Sequence, residues 1–313
     1  MLTKQALTDA AVELIRRSST TIPRDVRDAV ARAAEREEPD SGAQVTLRLL
    51  LDNIRLAETT SRPVCQDTGA LLFFVQHGRD WSQPAIRSAI LAALPIATQR
   101  SYLRPNAVHP LTGKNSGDNT GVGVPYVEFD QVGQVDDLSG ELGHRTGGEV
   151  DNLSYLEIRL LQKGGGSENV SGQYSLPDGA LGAQRDLEGV RRCIIDGVHR
   201  AQGKGCAPGI IGVGIGGDRA TSYLTAKHQL LRRLDDRSPE PALADLEARL
   251  MGDLNSLGIG PMGCGGRTTV LAVKAGIAYR VPACYFVSMA YMCWALRRHT
   301  MSVTAEGEVT YHD

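Results

Sequence analysis

The chain is 313 residues long, 42% hydrophobic and 22% charged, with a formal net charge of -2 at pH 7. It is long enough to bury a sizeable core and reads as an ordinary soluble protein. Its near-neutral balance and lack of a Lys/Arg block give no electrostatic basis for binding nucleic acid or an anionic membrane, so small molecules are the expected ligands.

The first segment, MLTKQALTDAAVELIRR, carries the charged face of an amphipathic helix and not the uninterrupted apolar core of a signal peptide. Leu7, Ala11, Leu14 and Ile15, then Leu47, Leu50, Leu51 and Ile54, recur at helical spacing, which predicts a helical N-terminal layer over about the first 60 residues. GALLFFVQHG from Gly69 predicts a buried strand, and Pro84 to Leu103 a helix. Strands are expected at Tyr126 to Val132 and Tyr155 to Leu161, separated by GQVDDLSGELGHRTGGEVDN, which reads as a long exposed loop. From Asp186 the expected order is helix (Leu187, Val190, Ile194, Val198), strand (Gly209 to Val213), helix (Thr221 to Arg233) and helix (Leu243, Leu246, Leu250, Leu254). Strands at Thr269 to Val273 and Tyr285 to Met289 follow, and the polar tail SVTAEGEVTYHD reads as a docking strand rather than core. The pattern predicts an α/β fold, and no repeat or linker divides it, so residues 1–313 are expected to form one domain. No apolar run approaches the ~20 residues of a membrane span. A cytoplasmic location is expected, where the six cysteines would be thiols or ligands rather than disulfides.

Three of those cysteines sit in separate Gly-, Gln- or Asp-flanked segments: Cys65 in RPVCQDTG, Cys206 in GKGCAPGIIGVGIGG and Cys293 in AYMCWALRRH. Local zinc sites bring ligands in close pairs such as CxxC, and no such pair exists here. Thiolates gathered from afar suit an iron-sulfur cluster with one iron left open for chemistry. Taken alone, each cysteine would equally be a small buried hydrophobe. Glycine is concentrated in a few loops. KGGGSEN (Lys163 to Asn169) follows a predicted strand, and its consecutive glycines would let backbone N–H groups converge on a carboxylate or phosphate. NSGDNTGVGVP and LGIGPMGCGGRTT have similar character. GVGIGG (Gly212 to Gly217) matches the dinucleotide fingerprint in form, but no strand ends in an acidic residue ~20 positions on. Close packing of the following helix on the strand is the better reading.

Taken together, Cys65-Gln66-Asp67-Thr68-Gly69, GKNSGDNTG, KGGGSEN, the Cys206 segment, LGIGPMG and the Cys293 segment resemble, in order, the class I iron-sulfur fumarases and L-tartrate dehydratases. The resemblance is to their α subunit or N-terminal catalytic domain and runs from Leu47 to His299. It implies a mixed sheet with flanking helices, and a hydro-lyase that hydrates or dehydrates a small dicarboxylic 2-hydroxy acid of the fumarate/malate type. It also implies that Cys65, Cys206 and Cys293 hold a 4Fe-4S cluster whose fourth iron is a Lewis acid toward the substrate. Cys193, Cys264 and Cys284 match no ligand. Gln66 and Asp67 match substrate-contacting residues, Asp67 as the acid/base partner. Arg104 matches a carboxylate clamp, and Gly165, Gly166 and Asn169 match the loop lining the same pocket. In the family a second domain supplies the remaining arginines, a lysine and a threonine base. This chain is therefore expected to work with a separate β subunit, as α2β2.

Two positions depart from the family pattern. Val281 stands where a histidine usually reaches the substrate, and Phe286 where a proline is usual. Both leave the substrate open, with L-tartrate or a related hydroxy acid as the alternative. A non-catalytic iron-sulfur sensor and a dinucleotide-binding enzyme built on GVGIGG are the other classes in play. His109, His144 and His228 are expected to be exposed polar residues, and Lys114 and Asp118 to shape their loop.

Overall fold

The computed structural model describes residues 2–131 and 155–313. The long loop expected between the strands at Tyr126 to Val132 and Tyr155 to Leu161 (133–152), and His144 within it, lie outside the described residues. Three helices come first: α1 (Lys4–Thr20), α2 (Arg24–Arg36) and α3 (Gly42–Thr60). Thr3 starts α1 by accepting from the Ala6 N–H at 3.2 Å, and Ser41 starts α3 by accepting from the Gln44 N–H at 3.2 Å. Ser61, in the left-handed region with φ 50°, ends α3 and turns the chain into the segment that carries Cys65.

The rest of the chain runs β1 (Ala70–His77), α4 (Gln83–Gln99), β2 (Tyr126–Gln131), β3 (Leu156–Lys163), α5 (Gly165–Asn169) and β4 (Gly172–Ser175). It continues through α6 (Leu187–Ala201), β5 (Gly209–Gly216), α7 (Arg219–Gln229), α8 (Pro241–Ser256), β6 (Val270–Ala278), β7 (Phe286–Met292), β8 (Arg297–Val303) and β9 (Val309–His312). The strands form two sheets, with orders β2-β1-β3-β8-β9 and β4-β7-β5-β6. Both are mixed: β1 runs parallel to β2 and antiparallel to β3, while β5 runs parallel to β6 and antiparallel to β7.

Strand alternation assigns each sheet two apolar faces. In β1, Leu71, Phe73 and Val75 pack with α1 and α4, whereas Leu72 and Phe74 turn to a central cluster with α2, α3 and α7. In β5, Ile210 joins that central cluster, while Ile211, Val213 and Ile215 pack against α6 and α8. The two sheets thus share one core, and helices cover their outer faces. Each fully buried Leu, Ile or Phe contributes roughly 1.5–3 kcal/mol. A buried ion pair fastens the helical layer to the sheet: Arg298 of β8 donates to Asp25 of α2 at 2.5 Å.

The α/β reading and the helical first 60 residues agree with these elements, and the tail does dock as a strand, pairing β9 on β8. Two strands were not anticipated. β4 is only four residues long, and β8 begins with Arg297, Arg298 and His299, polar types that gave no strand signal yet are buried. The helix expected to reach Arg233 stops at Gln229, and the one expected to reach Leu103 stops at Gln99. His228 is buried, not exposed, with its ring edge-on to Phe74 and Nε2 3.2 Å from Glu128. Among the described residues, no helix is long and apolar enough to cross a membrane.

GVGIGG lies mostly inside β5 rather than in a loop beyond it. A Cβ on Gly212 would sit 2.1 Å from the Ala226 carbonyl oxygen, and one on Gly214 2.0 Å from that of Ser222. These glycines let α7 lie directly on the strand. Gly214→Ala is expected to destabilise the protein by about 1–3 kcal/mol or more through overpacking. Gly252→Ala, in open space on α8, should stabilise by up to about 1 kcal/mol. Denaturant midpoints of the two variants check both signs.

Candidate functional site

The site is assembled around the segment between α3 and β1. Thr68, buried, uses its hydroxyl oxygen to accept from the Arg104 N–H at 3.1 Å and from Asn106 Nδ2 at 2.9 Å. Asn119 fastens the same segment from its other side, accepting from the Asn106 N–H at 2.8 Å and donating to the Arg104 carbonyl at 3.1 Å. The backbone of Arg104 is therefore fixed beside the Cys65 segment, while its side chain is exposed. Asp118 accepts from the Thr120 N–H at 2.9 Å, which shapes the loop as expected.

Asp67 is the best-connected residue of the site. Its Oδ1 accepts from the Gly69 N–H at 3.0 Å, and its Oδ2 accepts from the Gly165 N–H at 2.8 Å and, more weakly, from Gly166 at 3.4 Å. The anion that the glycine loop holds is thus the protein's own carboxylate. Gly69 makes this approach possible: its φ is +77°, and a Cβ there would lie 2.6 Å from the Lys163 carbonyl oxygen. The Asp67 N–H faces Cys65 Sγ at 3.4 Å, and its carbonyl accepts from Arg297 Nη1 at 2.8 Å. Gln66, Gly165, Gly166 and Asn169 are exposed along the same rim.

The other two cysteines approach from the second sheet. Cys206, at φ 57°, ends the short turn Gln202–Gly205 just before β5, and Cys293 follows the last residue of β7. The Trp294 N–H donates to the Cys206 carbonyl at 3.3 Å, joining the two segments. Although Cys206 is exposed at the rim, partial desolvation raises its thiol pKa, and the nearby charges of Cys65 and Asp67 raise it further. Burial pushes the Cys293 thiol up to about 11. Arg297 opposes that shift, and Cys206 and Cys65 add to it. Cys65, Cys206 and Cys293 therefore lie within electrostatic reach of one another. Among the described residues no three His, Cys, Asp or Glu side chains converge on a single metal ion. Cys193 is buried in α6, away from this group, and burial pushes its thiol up to about 12.

Several residues of the site escaped the sequence reading. Lys163 is buried, with Nζ 2.8 Å from the Tyr291 carbonyl and 2.6 Å from Glu168, which also pairs with Lys227 at 3.0 Å. Desolvation lowers the Lys163 pKa, and Glu168 holds it up. Arg297 is 1% exposed and Tyr291 0%. The first residue of KGGGSEN was the only visible signal for Lys163; nothing in LRRH or AYMC marked Arg297 or Tyr291 as buried.

With this geometry in place, comparison with known proteins gives the family. The fumarate hydratase (Fumerase) family model matches residues 8–302, and the chain belongs to that family of hydro-lyases. A Geobacillus stearothermophilus protein named as a class I fumarate hydratase is 44% identical over 297 residues, covering 94% of this chain and 54% of the relative. The chain thus spans about half the length of that relative. A Methanocaldococcus jannaschii protein named as an L(+)-tartrate dehydratase subunit alpha is 34% identical, over 93% of this chain and 95% of the relative. The L(+)-tartrate dehydratase subunit alpha of Escherichia coli K12 is 32% identical, over 96% of this chain and 91% of the relative.

Thr68→Val keeps the shape of the side chain but leaves the Arg104 N–H and the Asn106 amide without their acceptor. A loss of roughly 1–3 kcal/mol is expected from the unsatisfied donors, with Thr68→Ser retaining most of the stability. Urea denaturation of the two variants measures the difference.

Proposed function

We propose that this chain is the α subunit of an iron-sulfur hydro-lyase, acting as one domain, which adds or removes water at a fumarate/malate-type dicarboxylate together with a separate β subunit. The observation that carries the reading is the approach of Cys65, Cys206 and Cys293, from three separate elements, to one rim that also holds Asp67. A site for one ion would bring the three sulfurs to a single point. A cube presents a different iron to each, so thiolates brought in from three separate elements suit it, and soft thiolates suit iron. The six cysteines are free in the structure, in keeping with a reducing, cytoplasmic setting.

When bound, the cluster would supply a Lewis-acidic iron that weakens the C–O bond of the substrate hydroxyl. The chain's own residues do the rest. The Gly69 and Gly165 N–H groups hold the Asp67 carboxylate in one orientation, so that it can give or take a proton at the hydroxyl oxygen. Gln66 is placed beside it as a substrate hydrogen-bonding group. Arg104, with its backbone fixed by Thr68 and Asn119, offers a planar fork to one substrate carboxylate. Gly166 and Asn169, both exposed, are offered as the glycine-loop lining of the same opening. The base and the second carboxylate site belong to the β subunit.

The α-subunit reading draws on the relatives named as tartrate dehydratase α subunits, 34% and 32% identical to this chain. The same likeness sustains L-tartrate as the second substrate reading. Val281 stands exposed before the start of β7, at the opposite end of that strand from Cys293, so its departure from the family pattern changes no group beside the cysteines.

The test is anaerobic co-purification with the β subunit, assembled as α2β2, and a substrate screen. Alkene absorbance follows malate, and oxaloacetate release follows tartrate. Turnover of malate is expected to exceed that of tartrate; the reverse order moves the assignment to a tartrate dehydratase, and turnover of neither refutes the proposal. Asp67→Asn should lower kcat by about 10²–10⁴-fold while iron content stays unchanged. Arg104→Lys should chiefly raise KM. Full turnover by the α chain alone would contradict the need for a partner.

A further inference from the structure

Two buried hydrogen-bond donors beside the cysteines have no partner among the described residues: Tyr291 Oη and Arg297 Nε. Such orphans are rare, and each costs roughly 1–3 kcal/mol unless something absent from the protein atoms satisfies it. Both flank the three thiols. Tyr291 lies two residues before Cys293, and its ring packs over the segment of Cys206: a Cβ on Gly205 would fall 2.4 Å from the ring, and one on Gly209 2.6 Å from the hydroxyl. Arg297 lies four residues after Cys293 and reaches the Asp67 carbonyl at 2.8 Å, next to Cys65.

Arg297 is also unusual among the buried cations. Lys163 has Glu168 at 2.6 Å, Arg298 has Asp25 at 2.5 Å, and Lys274 has Asp236 at 2.6 Å. Arg297 makes its described hydrogen bond to a neutral carbonyl, and no carboxylate within ion-pair distance is found for it among the described residues. A buried guanidinium without an anion is strongly disfavoured. The anions nearby are the Asp67 carboxylate, whose own backbone carbonyl Arg297 already holds, and the cysteine sulfurs once a cluster is bound.

We infer that Arg297 Nε–H and the Tyr291 hydroxyl are a built pair of donors to the sulfurs of the bound cluster, with Arg297 its buried counter-charge. Neither is a catalytic residue. They position and tune the cluster, because hydrogen bonds to sulfur and a nearby positive charge favour the state with one more electron. The inference rests on the proposal that the three cysteines hold a cluster, and it extends that proposal to two residues with no assigned role.

The test uses the full chain reconstituted anaerobically with ferrous iron and sulfide, as wild type, Tyr291→Phe, Arg297→Gln and Arg297→Lys. The readout is an EPR-monitored redox titration of the bound cluster, alongside iron content and thermal melting. Tyr291→Phe and Arg297→Gln should each shift the cluster potential downward, and Arg297→Lys, which keeps the charge, should shift it less than Arg297→Gln. Tyr291→Phe removes only an unpartnered hydroxyl, so the metal-free variant should melt no lower than wild type; if Arg297→Gln does not fold, Tyr291→Phe decides the question. Potentials unchanged at full iron content would overturn this inference alone. A wild-type chain that takes up no cluster would overturn this inference and the functional proposal together.

Discussion

Asp67 is the knot on which the site depends. Its two carboxylate oxygens accept from Gly69 and from Gly165, its carbonyl accepts from Arg297, and its own N–H faces Cys65 Sγ. Three stretches of chain, the Cys65 to Gly69 segment, the glycine loop at Gly165 and the start of β8 at Arg297, are held together by one short side chain and its peptide. The physical reason is general. A site whose groups come from separate elements must have its loops fixed by backbone hydrogen bonds, since loose loops would lose the geometry that chemistry needs. Thr68 and Asn119 extend the same logic outward to the backbone of Arg104.

Charge is arranged around this knot in a consistent way. Lys163 enters the core from the end of β3, is desolvated, and is held in place by Glu168, which in turn meets Lys227 of α7. Arg298 finds Asp25 on α2. Each of these pairs ties one sheet or helix to another, and each removes a charge that burial would otherwise penalise. Arg297, at the start of β8, is buried and donates to the Asp67 carbonyl next to Cys65. The second sheet thus contributes two thiols and the aromatic hydroxyl of Tyr291, while the first contributes Cys65, Asp67, the glycine loop and the guanidinium.

Much of this was legible in the chain because its local chemistry is explicit. Leu7, Ala11, Leu14 and Ile15 announced a helix by spacing, and GALLFFVQHG announced β1 by its apolar run. The glycines of KGGGSEN announced backbone donors aimed at an anion. What could not be read was which anion: only the folded chain brings Asp67 across to Gly165. Nor could spacing reveal β8, where Arg297, Arg298 and His299 are buried through pairing with partners far away in sequence. Local periodicity reports burial of apolar groups, and it is blind to polar groups whose burial is made tolerable by tertiary contacts. GVGIGG shows the converse, a familiar pattern whose glycines serve the contact of α7 with β5.

The proposed hydro-lyase chemistry requires Cys65, Cys206 and Cys293 to act as one ligand set. The most direct measurement is iron and sulfide content, with the visible absorption spectrum, after anaerobic reconstitution of single Cys→Ser variants at all six cysteines. The account predicts that Cys65→Ser, Cys206→Ser and Cys293→Ser each lose most of the bound cluster, whereas the variants at Cys193, Cys264 and Cys284 retain it. A brown, fully loaded protein lacking any one of the first three thiols, or loss of the cluster from a change at one of the other three, would contradict it.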